Sequence, residues 1–194
     1  MLTMRHGPVL GALCTLAALS GMAWPFTVDD AFIAVRYAHR IALGLGYTFS
    51  GGHASDGVTG PLWLLPMVAG ARLGLPLLPL AKGLSCAASL VAVAWLVVRA
   101  GRIARGREAA WWVVTVCASS LPLVVWSVAG LETGLATWLA TWLVLAVLAR
   151  RDLQAGVAVA LLAWLRPELA PFAGVLLVWC WQRAGSARAL AIAA

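Results

Sequence analysis

Residues 80–98 read LAKGLSCAASLVAVAWLVV, and residues 99–107 continue RAGRIARGR. The first part carries a single charge, Lys82, close to its start. Its length matches the roughly 20 residues that a helix needs to cross a bilayer core. The second part sets four arginines, Arg99, Arg102, Arg105 and Arg107, in one short loop. Basic clusters of this kind mark the cytoplasmic end of a span. The junction therefore predicts a membrane helix that runs inward, and every other segment takes its side from it.

The composition agrees with that reading. Hydrophobic residues make up 63% of the chain and charged residues only 11%, so a soluble domain is excluded. The apolar runs lack the two-residue alternation of a membrane β-strand, which excludes a barrel. The net charge of +7 does not point to nucleic acid, because the basic residues sit in short clusters between apolar runs. Cys14, Cys86, Cys117 and Cys180 all fall within apolar segments without metal-site spacing, and are expected to be buried, inert thiols.

Upstream, Arg5 and His6 precede an apolar run over 8–24 that reads as an uncleaved signal anchor. Residues 26–79 then form a long first extracytoplasmic loop. Within it, Asp29 and Asp30 fall at or near the N-cap of a short helix reaching residue 43, because Asp accepts the orphan N–H groups there. Gly44 and Gly46 end that helix. Residues 47–50 read as extended, and 51–57 as a turn. The apolar stretch 61–80 is interrupted by Pro66, Arg72, Pro76 and Pro79, so it is expected to lie along the membrane surface.

Downstream, spans follow at 109–128, 134–148, 153–165 and 169–181. With about six spans in all, nine of the fourteen Lys/Arg residues fall inside: Arg5, Arg99, Arg102, Arg105, Arg107, Arg150, Arg151, Arg183 and Arg188. Were 61–80 a span, the four-arginine loop would face outward, against the positive-inside rule. The fold class expected is all-α, a multi-pass transmembrane protein in the plasma (inner) membrane, with residues 1–194 as one module. Residues 189–194 read as the start of a further apolar helix, which predicts that this chain is the N-terminal portion of a longer protein. With this topology Asp29, Asp30, Glu132, Arg166 and Glu168 share the extracytoplasmic face.

Several motifs on that face carry a family resemblance. They are Asp29-Asp30-Ala31-Phe32-Ile33, Arg36-Tyr37-Ala38, Gly44-Leu45-Gly46 with Phe49, Gly57-Val58-Thr59-Gly60-Pro61-Leu62-Trp63, Gly130-Leu131-Glu132-Thr133 and Arg166-Pro167-Glu168. Together they resemble the GT-C glycosyltransferases that use polyprenyl-phosphate sugars. The nearest group is the terminal β-(1→2)-arabinofuranosyltransferases, and the resemblance runs over roughly residues 8 to 185. Ser50 after Phe49 is one departure from the pattern. The resemblance implies an outer first loop with interfacial helices and an acidic motif at the membrane edge. It implies a polyprenyl-phosphate sugar as donor and a glycan, lipid or protein outside the cytoplasm as acceptor.

The chemistry of such a transfer needs these residue types. A carboxylate of Asp29 or Asp30 can take the acceptor hydroxyl's proton as general base. The other can orient the acceptor or bind a divalent cation, Mg2+ or Mn2+. The lipid-phosphate leaving group calls for cationic stabilisation, for which Arg36, Arg166 and Lys82 are the outer-face candidates. Arg36 and Arg166 suit this best, since a guanidinium fork matches phosphate oxygens. Tyr37, Trp63, Glu132 and Glu168 complete the expected substrate-binding set. Helix capping and interfacial polarity are the competing explanations for these charges. The alternative function is a transporter or flippase of envelope glycan precursors, which predicts ionisable residues near mid-bilayer and internal repeat symmetry. Neither is visible here.

Overall fold

The computed structural model of the chain describes residues 6–51, 53–54, 57–58, 60–103 and 107–184. Gly52, Ser55 and Asp56 of the 51–57 turn, Thr59 of the loop motif, Arg5, Arg105, Arg188 and the closing run 189–194 lie outside the described residues. The described residues are all-α, with no strand among them. The helices are α1 (His6–Met22), α2 (Asp30–Ala42), α3 (Pro61–Arg72), α4 (Leu77–Ile103), α5 (Arg107–Ser119), α6 (Leu121–Ser127), α7 (Thr133–Leu148), α8 (Asp152–Leu165) and α9 (Ala170–Ala184), with a 3-10 turn at Pro167–Leu169 before α9.

Within α4, Leu77–Arg102 is long and apolar enough to cross a membrane. The pair α5 and α6 forms a second such length if the two are one span, but they are bent by 63°. The continuous helix expected over 109–128 is therefore corrected to a broken one. Pro122 explains the break: it has no N–H to donate to the preceding turn and its ring clashes with the carbonyl there. In the first turn of a new helix that N–H is not needed, so the helix restarts at Leu121 with Ser120 as its N-cap. The remaining apolar helices Gly7–Met22, Thr133–Leu148, Asp152–Leu165 and Pro167–Trp179 are shorter.

The residues fall into two compact units. The first comprises 1–31 and 81–138, the second 32–80 and 139–194. In the first, α1 packs on α5 and α6. Its core is Ala12, Leu16, Val93, Val97, Ala110, Val114 and Val124. Gly11 lets the Trp111 ring lie against α1, since a Cβ there would already be 3.1 Å from it. The Ser20 and Ser127 hydroxyls, 3.0 Å apart and buried, join α1 to α6.

In the second unit α8 packs on α3 and α9. Two helices end in Schellman turns. After α2, the Leu45 N–H bonds Arg40 O and the Gly44 N–H bonds Ile41 O, with Gly44 at φ 75. After α3, Leu75 and Gly74 do the same with Gly70 and Ala71. The expected stop at Gly44 is thus met by its left-handed conformation, which costs glycine little. After α7 the same geometry is forced on a non-glycine: Arg150 has φ 55, and the Arg151 N–H reaches Ala146 O.

Three local expectations change. Residues 47–50 form a bend with no strand, because their polar groups bond to the α2 arginines and to the rest of the loop. The cysteines are not uniformly buried: Cys14 is exposed, and Cys86 and Cys117 are partly exposed. The stretch 61–80 is not one element, since the turn at 73–76 separates α3 from α4. As a helix of 12 residues, α3 is about 18 Å long at 1.5 Å per residue, well short of a ~30 Å bilayer core.

Candidate functional site

Helix α2 begins where two carboxylates make a good start. Asp29 immediately precedes it and Asp30 is its first residue, and both are exposed. Acidic side chains are favoured beside the N-terminal N–H groups. The helix then buries Ala31, Ala34, Tyr37 and Ala38, a stripe at helical spacing. Phe32, Arg36 and His39 remain exposed.

In the first unit, the segment leading into Asp29-Asp30 is fixed at three points. The Val28 N–H bonds Ala129 O at 3.2 Å. The Lys82 ammonium donates to Trp24 O and Phe26 O, each at 2.7 Å, and lies 5.7 Å from the centre of the Trp24 ring. Lys82 is 4% exposed, so two loop carbonyls take the place of water around its charge. The sequence offered Lys82 as a phosphate ligand, but two of its three N–H groups go to this loop.

The turn at 128–132 is the other side of that link. Val128, Ala129 and Gly130 are buried, and Gly130 has φ 93. Glu132 is half-buried, and its carbonyl accepts the Ala136 N–H at 2.9 Å, opening α7. The next turn of α7 approaches α4 backbone to backbone. The Gly134 N–H donates to Ser85 Oγ at 2.9 Å, and a Cβ on Gly134 would overlap the Ser85 carbonyl. Two motifs separated by a hundred residues of sequence, the acidic pair and Glu132, are thus carried on neighbouring backbone segments of one unit.

The second unit joins the remaining motifs. Tyr37 is 1% exposed. Its hydroxyl accepts the Gly57 N–H at 3.1 Å, and its ring packs on Tyr47 at 4.7 Å and Phe49 at 6.1 Å between centres. Tyr47 donates to Val58 O. Arg36 Nε donates to Phe49 O at 3.1 Å, and Arg40 Nε to Thr48 Oγ1 at 2.8 Å. The i, i+4 arginines of α2 therefore hold the loop, and Tyr37 forms its core. Gly60 packs against the Leu165 carbonyl so closely that a Cβ would overlap it. This sets the Gly60-Pro61 corner against the end of α8, where Arg166-Pro167-Glu168 begins. Arg166 and Glu168 pair at 3.6 Å. Trp63, buried on α3, has its indole N–H without an acceptor among the described residues.

Asp29, Asp30 and Glu132 thus belong to the first unit, and Arg36, Tyr37, Trp63, Arg166 and Glu168 to the second. Among the described residues no three His, Cys, Asp or Glu side chains form a metal-holding group. A cavity of about 200 Å³ in the first unit is a feature that sequence reasoning missed. Ser89, Pro122, Leu123, Trp126, Ser127, Thr133, Gly134 and Thr137 line it. Its four hydroxyl residues are spread over α4, α6 and α7, so no single stretch of sequence signals it. No family model matches this chain, and no curated protein or solved structure is measurably similar to it.

Proposed function

We propose that this chain is a multi-pass glycosyltransferase of the GT-C type, seated in the plasma membrane with its active face outside the cytoplasm. It moves a sugar from a polyprenyl-phosphate donor to a glycan or lipid acceptor. The observation that carries the proposal is the pairing of motifs within each unit. The acidic pair is tied to the Glu132 turn by the Val28–Ala129 hydrogen bond, and the Gly60 corner packs on the start of Arg166-Pro167-Glu168. Motifs that only capped their own helices would have no need of these tertiary links.

In this reading Asp29 or Asp30 accepts the proton of the attacking hydroxyl, while Arg36 and Arg166 bind the departing phosphate. Glu132 faces the acceptor, Glu168 orients Arg166, and Tyr37 and Trp63, both buried, hold the substrate-binding segments from behind. A divalent cation fits the acidic pair, because Mg2+ is commonly held by one or two carboxylates with substrate phosphate and water completing its shell. When bound it supplies positive charge beside the phosphate. The short apolar helices α1, α7, α8 and α9 complete about six spans by local thinning of the bilayer and by snorkelling flanks. Their flanking Arg150 and Arg151 suit a cytoplasmic loop.

The transporter alternative draws less support. Lys82 is the buried charged side chain among the described residues, and it sits near the start of α4 with its amine on loop carbonyls. The test is transfer of radiolabelled sugar from a polyprenyl-phosphate sugar to endogenous acceptor in membranes carrying the chain. Transfer is expected with the wild type and absent from the doubly substituted Asp29→Asn, Asp30→Asn protein. Equal transfer in membranes with and without the chain sinks the proposal.

A further inference from the structure

The cavity of the first unit has an unusual wall. Four of its lining residues carry hydroxyls: Ser89, Ser127, Thr133 and Thr137. Three of these already spend their protons on backbone. Ser89 donates to Ser85 O at 3.0 Å, Thr137 to Thr133 O at 2.8 Å and Ser127 to Val124 O at 2.7 Å. Back-bonding of this kind is how hydroxyls are accommodated in apolar helices. It leaves each oxygen with lone pairs and no proton to give. Ser127 uses one lone pair on Ser20. Thr137, half-buried, therefore has an acceptor left for the cavity, while Ser89, 1% exposed, lies behind its surface.

Such a wall selects its ligand. A phosphate or carboxylate would find one hydroxyl proton, that of Thr133, not already given to backbone, and no Lys or Arg lines the cavity to balance its charge. A hydrocarbon tail would leave the Thr133 hydroxyl, the one of the four not bonded to backbone, without a partner, at a cost. A neutral ring bearing hydroxyls satisfies both Thr133 and Thr137. The rest of the lining is apolar, with the indole of Trp126 on one side and Pro122 and Leu123 beside it. Mostly apolar walls with a few fixed polar atoms are the usual make-up of a small-molecule site, and an aromatic plane suits the C–H face of a sugar. At about 30 Å³ per water, the volume of about 200 Å³ equals about seven waters, close to the size of one monosaccharide ring. Its position is also apt: Thr133 and Gly134, which line it, directly follow Glu132.

We propose that this cavity binds a single uncharged sugar ring, with a ring hydroxyl donating to Thr137 and a ring face against Trp126. The proposal rests on the glycosyltransferase reading for its biological role, since it names a sugar subsite beside the Glu132 turn. Its physical content is a binding event, which can be measured without turnover.

The test uses the purified chain in lipid nanodiscs, titrated with a methyl pentoside and a methyl hexoside by saturation-transfer NMR. Saturable binding is expected. Thr137→Val removes an acceptor at nearly constant shape and is expected to weaken binding about five- to tenfold, the worth of one hydrogen bond. Trp126→Leu is expected to weaken it at least as much. Thr115 is also back-bonded, to Trp111 O at 3.0 Å, but does not line the cavity; Thr115→Val is the control and should leave affinity unchanged. Absence of saturable binding to the wild type, or equal affinity in Thr137→Val, Trp126→Leu and Thr115→Val, overturns the proposal. Inorganic phosphate that competes with the glycosides also overturns it. Sugar binding without any transfer activity would retain this site and remove the glycosyltransferase reading. Transfer activity with binding indifferent to Thr137 and Trp126 would do the reverse.

Discussion

Replacing Gly134 by alanine drives a methyl group into the backbone of α4. The added Cβ would lie 2.6 Å from Ser85 Oγ and would overlap the Ser85 carbonyl oxygen. Neither side can yield by turning a flexible side chain, because the obstacle is main chain in the middle of a helix. Overpacking of this kind costs about 1–3 kcal/mol. Separating the helices also stretches the hydrogen bond from the Gly134 N–H to Ser85 Oγ, worth about 1 kcal/mol. Alanine's better helix propensity returns at most about 1 kcal/mol. The net destabilisation is about 1–3 kcal/mol, which for a chain of this size lowers the melting temperature by about 3–10 °C. The assay is thermal unfolding in nanodiscs, followed by circular dichroism. Gly83→Ala is the matched control: it lies on the same α4, and its Cβ would meet nothing within 4 Å. It is expected to melt at or above the wild-type temperature. If Gly134→Ala melts with the wild type, the close approach of α7 to α4 is wrong, and so is the position of the Glu132 turn that depends on it.

Other perturbations separate the parts of the account. Lys82→Met should cost about 2–4 kcal/mol, because it leaves two loop carbonyls without their charged donor; protease sensitivity of the segment before Asp29 should rise with it, and an unchanged melting curve would contradict the pin. Tyr37→Phe removes the acceptor of the Gly57 N–H and should cost about 1–2 kcal/mol, read as faster proteolysis within 47–60 without loss of helix content. Arg150→Gly relieves a left-handed residue and should raise stability by about 1 kcal/mol, visible as a higher melting temperature. Reporters fused after Arg105 and after Glu132 should give cytoplasmic and extracytoplasmic signals respectively; a cytoplasmic signal at Glu132 overturns the assigned topology.

Much of the helix pattern is legible in the residues. Asp29-Asp30 marks the start of α2, Gly44 its end, and Arg166-Pro167 the end of α8, because capping and proline chemistry act locally. The break before α6 was legible in principle through Pro122, but the unbroken apolar character of 109–128 masks it. Other features are tertiary and leave no local trace. Tyr37 carries the look of a substrate-facing aromatic, yet it is the buried centre of its loop. Lys82 reads as an outer-face cation for a phosphate, yet its amine is used by carbonyls more than fifty positions earlier in the chain. Gly134 reads as one small residue among many, and only the nearness of Ser85 shows why a side chain is excluded there. The hydroxyl-lined cavity depends on α4, α6 and α7 meeting, which no single run of sequence encodes.

The most direct measurement of the central claim is turnover by Asp29→Asn and Asp30→Asn, made separately in otherwise unaltered protein. Both side chains are exposed at the start of α2, and amide replacement keeps their size, so each variant should melt within about a degree of the wild type. A general base contributes about 10²–10⁴-fold to rate. One of the two variants should therefore lose at least about a hundredfold in transfer from a polyprenyl-phosphate sugar, while the other loses less. Wild-type rates in both folded variants would contradict the assignment of the acidic pair as the chemical centre.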